Sequence, residues 1–212
     1  MRQIRRERPT LRTAHDFHQK GHFLKSSPEH VVSDQERQHL ADEIAGELAS
    51  LIKTQFPRGA NLEYAILKAH LIVEYAVGEY IRCVSDILVD SAHLRKFSFA
   101  NKIEVAYLLG LGATDALLLP TIERLNKIRN QVAHSFVLDR ALVDEMLRVN
   151  SNDYDGFNVK DDKQRVRMLR WLCNGVAAHI SAQMTVKVHW LGRANSAMLK
   201  ELATAAAEFE LP

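Results

Sequence analysis

The segment Arg129-Asn130-Gln131-Val132-Ala133-His134 brings a guanidinium, an amide and an imidazole into one short stretch. A guanidinium can hold a phosphate through two parallel hydrogen bonds and offset charge that builds in a transition state. An imidazole titrates near neutrality, so it can accept a proton from a ribose 2′-hydroxyl or deliver one to the leaving oxygen. An amide can orient the imidazole or bond to phosphate. These side chains suit phosphodiester cleavage, and the set requires no metal ion and no cofactor.

The segment reads as the end of a helix. At 100° per residue Ile122, Leu125, Ile128, Val132 and Phe136 share an apolar arc, and Arg129 falls inside it. An arginine on an apolar face needs a partner or a wet cleft, because an unpaired buried charge is costly. Asn126, Asn130 and His134 form a polar stripe beside that arc. On a regular helix Arg129 and His134 are about 140° apart. Convergence then needs a break in the helix or a second copy of it across a dimer axis. The competing explanation is structural: an Asn/His ladder near a helix end can cap carbonyls or bond to a neighbouring helix.

Other residues qualify for supporting roles. His70 and Glu74, four apart on a long helix, can act as a carboxylate–imidazole pair that orients the motif, or as a partly buried structural pair. Metal binding by that pair lacks a third ligand. Lys163, Arg167 and Arg170, with Asn174, form a polar ridge that can meet RNA phosphate or simply face solvent. Trp171 and Trp190 are expected in the core or an interface, with base stacking the alternative. Arg2, Arg5 and Arg6 belong to a basic stretch that can reach a polyanion, and His15, His18 and His22 to a tag-like cluster.

The elements that position these residues are helical. Ser33-Asp34-Gln35-Glu36 is a capping-box pattern, followed by Leu40, Ile44, Leu48 and Leu51 at helical spacing until Pro57 and Gly59. Leu62, Ile66, Ala69, Val73, Ala76, Tyr80, Val84 and Ile87 keep the period for about seven turns, and Leu67, Leu71, Val77 and Ile81 widen the stripe. This is expected to be the longest helix and the central one. A connector at 91–98 precedes a helix from Phe99 to Leu109, stopped by Gly110 and Gly112. Pro120 suits the first turn of the motif-bearing helix, which runs towards Phe136. A short helix at 140–149, a loop at 150–156 and a helix from Asp161 follow. Residues 186–191 can be extended, and a last helix spans 195–208.

Composition agrees with an all-α bundle of five to seven helices. Gly (9) and Pro (5) are scarce, which disfavours a turn-rich β architecture. The 212 residues suffice for one core without requiring two domains. No run reaches the roughly 18 apolar residues of a membrane span, and no secretory signal is visible, so no membrane partner is expected. Cys83 and Cys173 read as reduced core thiols of a cytoplasmic protein. Residues 1–30 hold seven basic and three acidic residues, a segment charge of +4, so with +2 overall the remainder carries −2. The expected organisation is a basic, flexible extension over 1–30 and one helical domain over 31–212.

Arg-Asn-x-x-x-His inside "LNKIRNQVAHS" resembles the signature of the HEPN superfamily, the higher eukaryotes and prokaryotes nucleotide-binding domains. "LKAHLIVEYAVGEYI" and "FSFANKIEVAYLLGLG" resemble the mannitol operon repressor-like branch of that helical fold. The resemblance covers about residues 60–138. It implies a bundle that dimerises with two motifs face to face, and often a metal-independent endoribonuclease of toxin–antitoxin, defence or RNA-processing systems. Carried over by position, Arg129 and His134 become the catalytic pair and Asn130 the polar residue after the arginine; Asn126, His70 and Glu74 are supporting residues by their spacing alone. RNA and an antitoxin or regulatory protein are then the expected partners of a homodimer. The repressor-like branch implies the alternative, a non-enzymatic transcriptional regulator or interaction protein.

Overall fold

A computed structural model describes residues 33–85, 91–135, 137–152, 154 and 156–209. The basic extension, with Arg2, Arg5, Arg6 and the histidine cluster, lies outside them, as do Ile87 and Phe136. Among the described residues there are seven helices and no strand. No helix among them is long and apolar enough to cross a membrane.

Helix α1 (Asp34–Gln55) starts where the capping box placed it. The Glu36 amide donates to Ser33 Oγ at 3.3 Å, and the Ser33 amide donates to Glu36 Oε2 at 2.8 Å. Ala41, Ile44, Leu48 and Ile52 then face the core. Helix α2 (Leu62–Val84) opens on Asn61, whose Oδ1 accepts from the Tyr64 amide at 2.8 Å. It is buried on more than one side, with Ile66, Val73, Val77, Tyr80 and Ile81 all inside. Leu71 departs from the expected stripe and is exposed.

Residues 91–98 hold a single turn, α3 (Ser91–Leu94), before α4 (Phe99–Leu108). Gly110 and Gly112 stop α4 with φ of 93° and 84°, the left-handed region that only glycine enters at low cost. The motif-bearing α5 (Leu118–His134) and α6 (Arg140–Val149) follow. Asp139 caps α6, its Oδ1 accepting from the Ala141 amide at 2.9 Å.

The rest of the chain differs from expectation. One helix, α7 (Asp162–Phe209), runs for 48 residues and replaces both the extended segment at 186–191 and the separate last helix. It, not α2, is the longest element. Val176, Ile180, Met184 and Val188 are buried in successive turns, so the helical seam continues through the segment in question. Val186 and Trp190 alternate with Val188 in sequence but stand on the solvent side.

Helix α7 packs most extensively on α2 and α1. A Cβ added at Gly192 would lie 3.0 Å from Asp34 Cγ, so the far part of α7 meets the start of α1. The side chain of Arg37 in α1 is buried and donates to Cys83 O at 3.2 Å and to Ser85 O, the closing carbonyls of α2. A cation there also suits the negative end of the helix dipole. Hence α1 runs antiparallel to α2 and α7. Helices α4 and α5 cover α2 from another side, and α6 bridges α5 and α7. Cys83 and Cys173 are buried free thiols, and burial pushes both up to about 12.

Candidate functional site

Helix α5 anchors the motif through Ile122, Leu125 and Ile128, all buried. The apolar arc loosens towards its end, where Val132 is only half-buried. Arg129 sits at the border of the arc, also half-buried. Along the polar stripe exposure rises: Asn126 is half-buried, while Asn130 and His134 are exposed. His134 is the last residue of α5, and Ser135 is already extended.

Arg129 Nη1 donates to Asn130 Oδ1 at 3.0 Å. The amide after the arginine therefore orients the guanidinium and does not touch His134. No described carboxylate pairs with Arg129. Helix α5 is unbroken from Arg129 to His134, so the two side chains keep the wide angular separation of a regular helix. Within one chain they do not converge. In the same turn Gln131 Oε1 is buried without a hydrogen-bond partner among the described residues.

The supporting residues do come together. His70 Nε2 lies 3.2 Å from Asn126 Oδ1, and His70 Nδ1 lies 3.8 Å from Glu74 Oε2. Glu74 Oε1 accepts from Lys102 Nζ at 2.6 Å. A polar chain Lys102–Glu74–His70–Asn126 thus joins α4, α2 and α5. The His70 ring is buried, with its edge against Phe99 at 4.6 Å between centroids and 74° between planes. Desolvation holds its pKa below the ordinary 6.5; the nearby charges of Arg129 and Lys102 add to this, and Asn126 and Glu74 oppose it. The ring is therefore neutral at pH 7. Its Nε2 faces Asn126 on the motif helix and its Nδ1 faces Glu74, so the one proton of the neutral ring serves one of the two contacts according to the tautomer.

Lys102 and Phe99 were not singled out in the sequence. Phe99-x-x-Lys102 on α4 aligns with His70-x-x-x-Glu74 on α2 only once the two helices are packed together, and no local spacing signals that. The polar ridge is real but lies apart from the motif. Lys163, Arg167 and Arg170 line a groove of about 540 Å³ with Arg58 and Lys160, and neither Arg129 nor His134 is among its lining residues. Both tryptophans are exposed, Trp171 at 58% and Trp190 at 59%, which corrects the core half of the expectation and leaves an interface or base stacking as their roles. Trp190 instead stacks beneath Arg193, whose guanidinium carbon is 4.2 Å from the ring centroid.

No protein-family model, curated protein or solved structure matches this chain.

What the site can do follows from that inventory. Arg129 offers a fixed planar cation with donors to spare beyond the bond to Asn130. His134 offers a solvated imidazole at a helix terminus. His70 and Asn126 tie the motif helix to the centre of the bundle, four residues and eight residues before Asn130 and His134 on the same stripe as Asn126. Arg129 and His134 are carried on one unbroken helix, the first half-buried and the second exposed.

Proposed function

We propose that this chain is a HEPN-like, RNA-directed protein that acts as a homodimeric, metal-independent endoribonuclease. The observation that carries the reading is the state of Arg129. Its guanidinium is held by a neutral amide, at the edge of an apolar arc, with no described carboxylate to neutralise it. Such a cation is poised for an external anion, and phosphate fits its fork. His134, exposed one and a half turns further on, supplies the proton-transfer group that strand cleavage through the 2′-hydroxyl needs. A regulator that merely used these residues as glue would be expected to bury both against carbonyls or carboxylates of its own chain.

The separation of Arg129 from His134 within one chain is what favours a dimer. A two-fold axis near α5 places one protomer's guanidinium opposite its partner's imidazole. The test is cleavage of mixed structured and unstructured RNA by the metal-stripped protein, run beside His134→Ala from an identical preparation. Cleavage by the wild type alone supports the enzyme. Equal cleavage by both would mark a contaminant and remove the catalytic assignment, leaving a non-enzymatic regulator of the mannitol operon repressor-like kind as the alternative.

A further inference from the structure

The groove at the start of α7 carries a separate message. Arg58 reaches it from the connector between α1 and α2, Lys160 from the segment before α7, and Lys163, Arg167 and Arg170 from the first turns of α7 itself. Its one lining carboxylate, Asp161, is already engaged, accepting from the Gln164 amide at 2.7 Å. The neighbouring arginines show the contrast. Arg140 pairs with Asp162 at 2.8 Å, Arg148 with Glu145 at 2.5 Å and Arg165 with Asp144 at 2.7 Å. None of the five groove cations has a carboxylate partner among the described residues. Gathering five unpaired cations around one concavity costs self-repulsion, which a bound polyanion relieves.

Two further features narrow the anion. Trp171 follows Arg170 directly and lies one turn beyond Arg167, with its indole 58% exposed. A large aromatic face beside a cationic track is the combination that holds unpaired bases by stacking while the track follows phosphates. A duplex keeps its bases stacked on each other and cannot use that face. The groove also shares an end of the bundle with His134. Arg140, just past the α5–α6 connector, is ion-paired with Asp162 at the start of α7.

We propose that this groove docks the phosphate backbone of single-stranded RNA, with Trp171 stacking on a base at its edge. The proposal rests on the RNA-directed reading but not on catalysis, since no motif residue lines the groove.

The test is fluorescence anisotropy of a labelled 2′-O-methyl oligouridine, which lacks the 2′-hydroxyl nucleophile, titrated with the full chain. Wild type, Arg167→Glu/Arg170→Glu, Trp171→Ala and Arg129→Ala are compared, with circular dichroism confirming that each is folded. The double charge reversal is expected to weaken binding at least about tenfold and to flatten the log–log salt slope by about 1.4, two contacts at about 0.7 each. Trp171→Ala is expected to weaken it about tenfold. A matching duplex should bind more weakly than the single strand. Binding that survives the charge reversal but is lost in Arg129→Ala overturns the groove and leaves the motif reading standing. A wild type that binds no strand, or prefers the duplex, also overturns the groove, while cleavage of native RNA judges the enzyme independently.

Discussion

Asn126 Oδ1 sits 3.2 Å from Nε2 of His70, so the helix that carries Arg129 and His134 is tied to the buried centre of α2 by one imidazole. The contact closes a polar chain that continues through Glu74 to Lys102. Asn126→Ala would leave Nε2 of a buried ring without its polar partner. The expected loss is about 1–3 kcal/mol of folding stability, read as a lower urea midpoint at pH 7. Asn126→Asp, which keeps an acceptor at the same place, should lose less.

The same histidine sets a pH dependence. Its folded-state pKa is below the ordinary 6.5, so below pH 6.5 the unfolded chain binds more protons at this position than the folded one. Stability contributed by a neutral His70 is therefore present above the unfolded pKa and lost as pH falls below it. Urea denaturation from pH 7 down to pH 5 should show wild type losing stability faster than His70→Gln. Parallel curves for the two proteins would mean that His70 is not held neutral by its burial.

Gly112 provides a test of the turn that launches α5. Its φ of 84° is one an L side chain resists, and an added Cβ would lie 2.9 Å from Leu119 Cδ1. Its amide also donates to Gln183 Oε1 at 2.8 Å, which locks the turn onto α7. Gly112→Ala is expected to cost about 1–2 kcal/mol or more, from backbone strain plus the clash. Gly46→Ala, where a Cβ meets nothing within 4 Å in the middle of α1, should instead leave stability unchanged or slightly raised.

How much of this was legible in the sequence depends on the range over which each interaction acts. The capping box at Ser33, the stop at Gly110 and Gly112 and the apolar arc of Ile122, Leu125 and Ile128 are all local, and each appears where spacing placed it. The continuity of α7 was hidden because Val186, Val188 and Trp190 alternate like a half-buried strand. What decides is that Met184 and Val188 extend a seam already set by Val176 and Ile180 against α1 and α2. The Glu74–Lys102 pair spans 28 positions, and Arg37 meets Cys83 across 46, so neither was visible as a motif. The groove was half visible: Lys163, Arg167 and Arg170 share a helical face, but Arg58 joins them only through the packing of α1 on α7.

A composite site makes a sharp genetic prediction. If each centre takes its arginine from one protomer and its histidine from the other, Arg129→Ala and His134→Ala should complement each other. The mixed dimer holds one centre with both groups missing and one with both intact. Mixing the two inactive proteins under exchange should then restore about a quarter of wild-type cleavage, half the dimers being mixed with one working centre each. No recovery, with exchange verified by tagged subunits, would place both groups in one protomer or remove them from catalysis. Light scattering that gives a monomer mass at every concentration would exclude the composite arrangement directly.

The chemistry itself separates the two motif residues. An imidazole can both accept and donate a proton, whereas a guanidinium offers only donors in a planar fork, so proton transfer falls to His134 and phosphate stabilisation to Arg129. Removing general acid–base help costs about 10²–10⁴ in rate, so His134→Ala should abolish detectable cleavage while the helical spectrum is kept. His134 is exposed and holds no part of the core, which makes that a clean substitution. Arg129→Lys should fail as well, because a point charge cannot reproduce the fork that Asn130 orients. Attack by the 2′-hydroxyl leaves a 2′,3′-cyclic phosphate, which end-group analysis of the products will detect. Cleavage should persist in chelator, since the proton and the charge are both handled by side chains. A 3′-hydroxyl product, or activity abolished by chelator and restored by a divalent ion, would show that Arg129 and His134 are not the groups doing the chemistry.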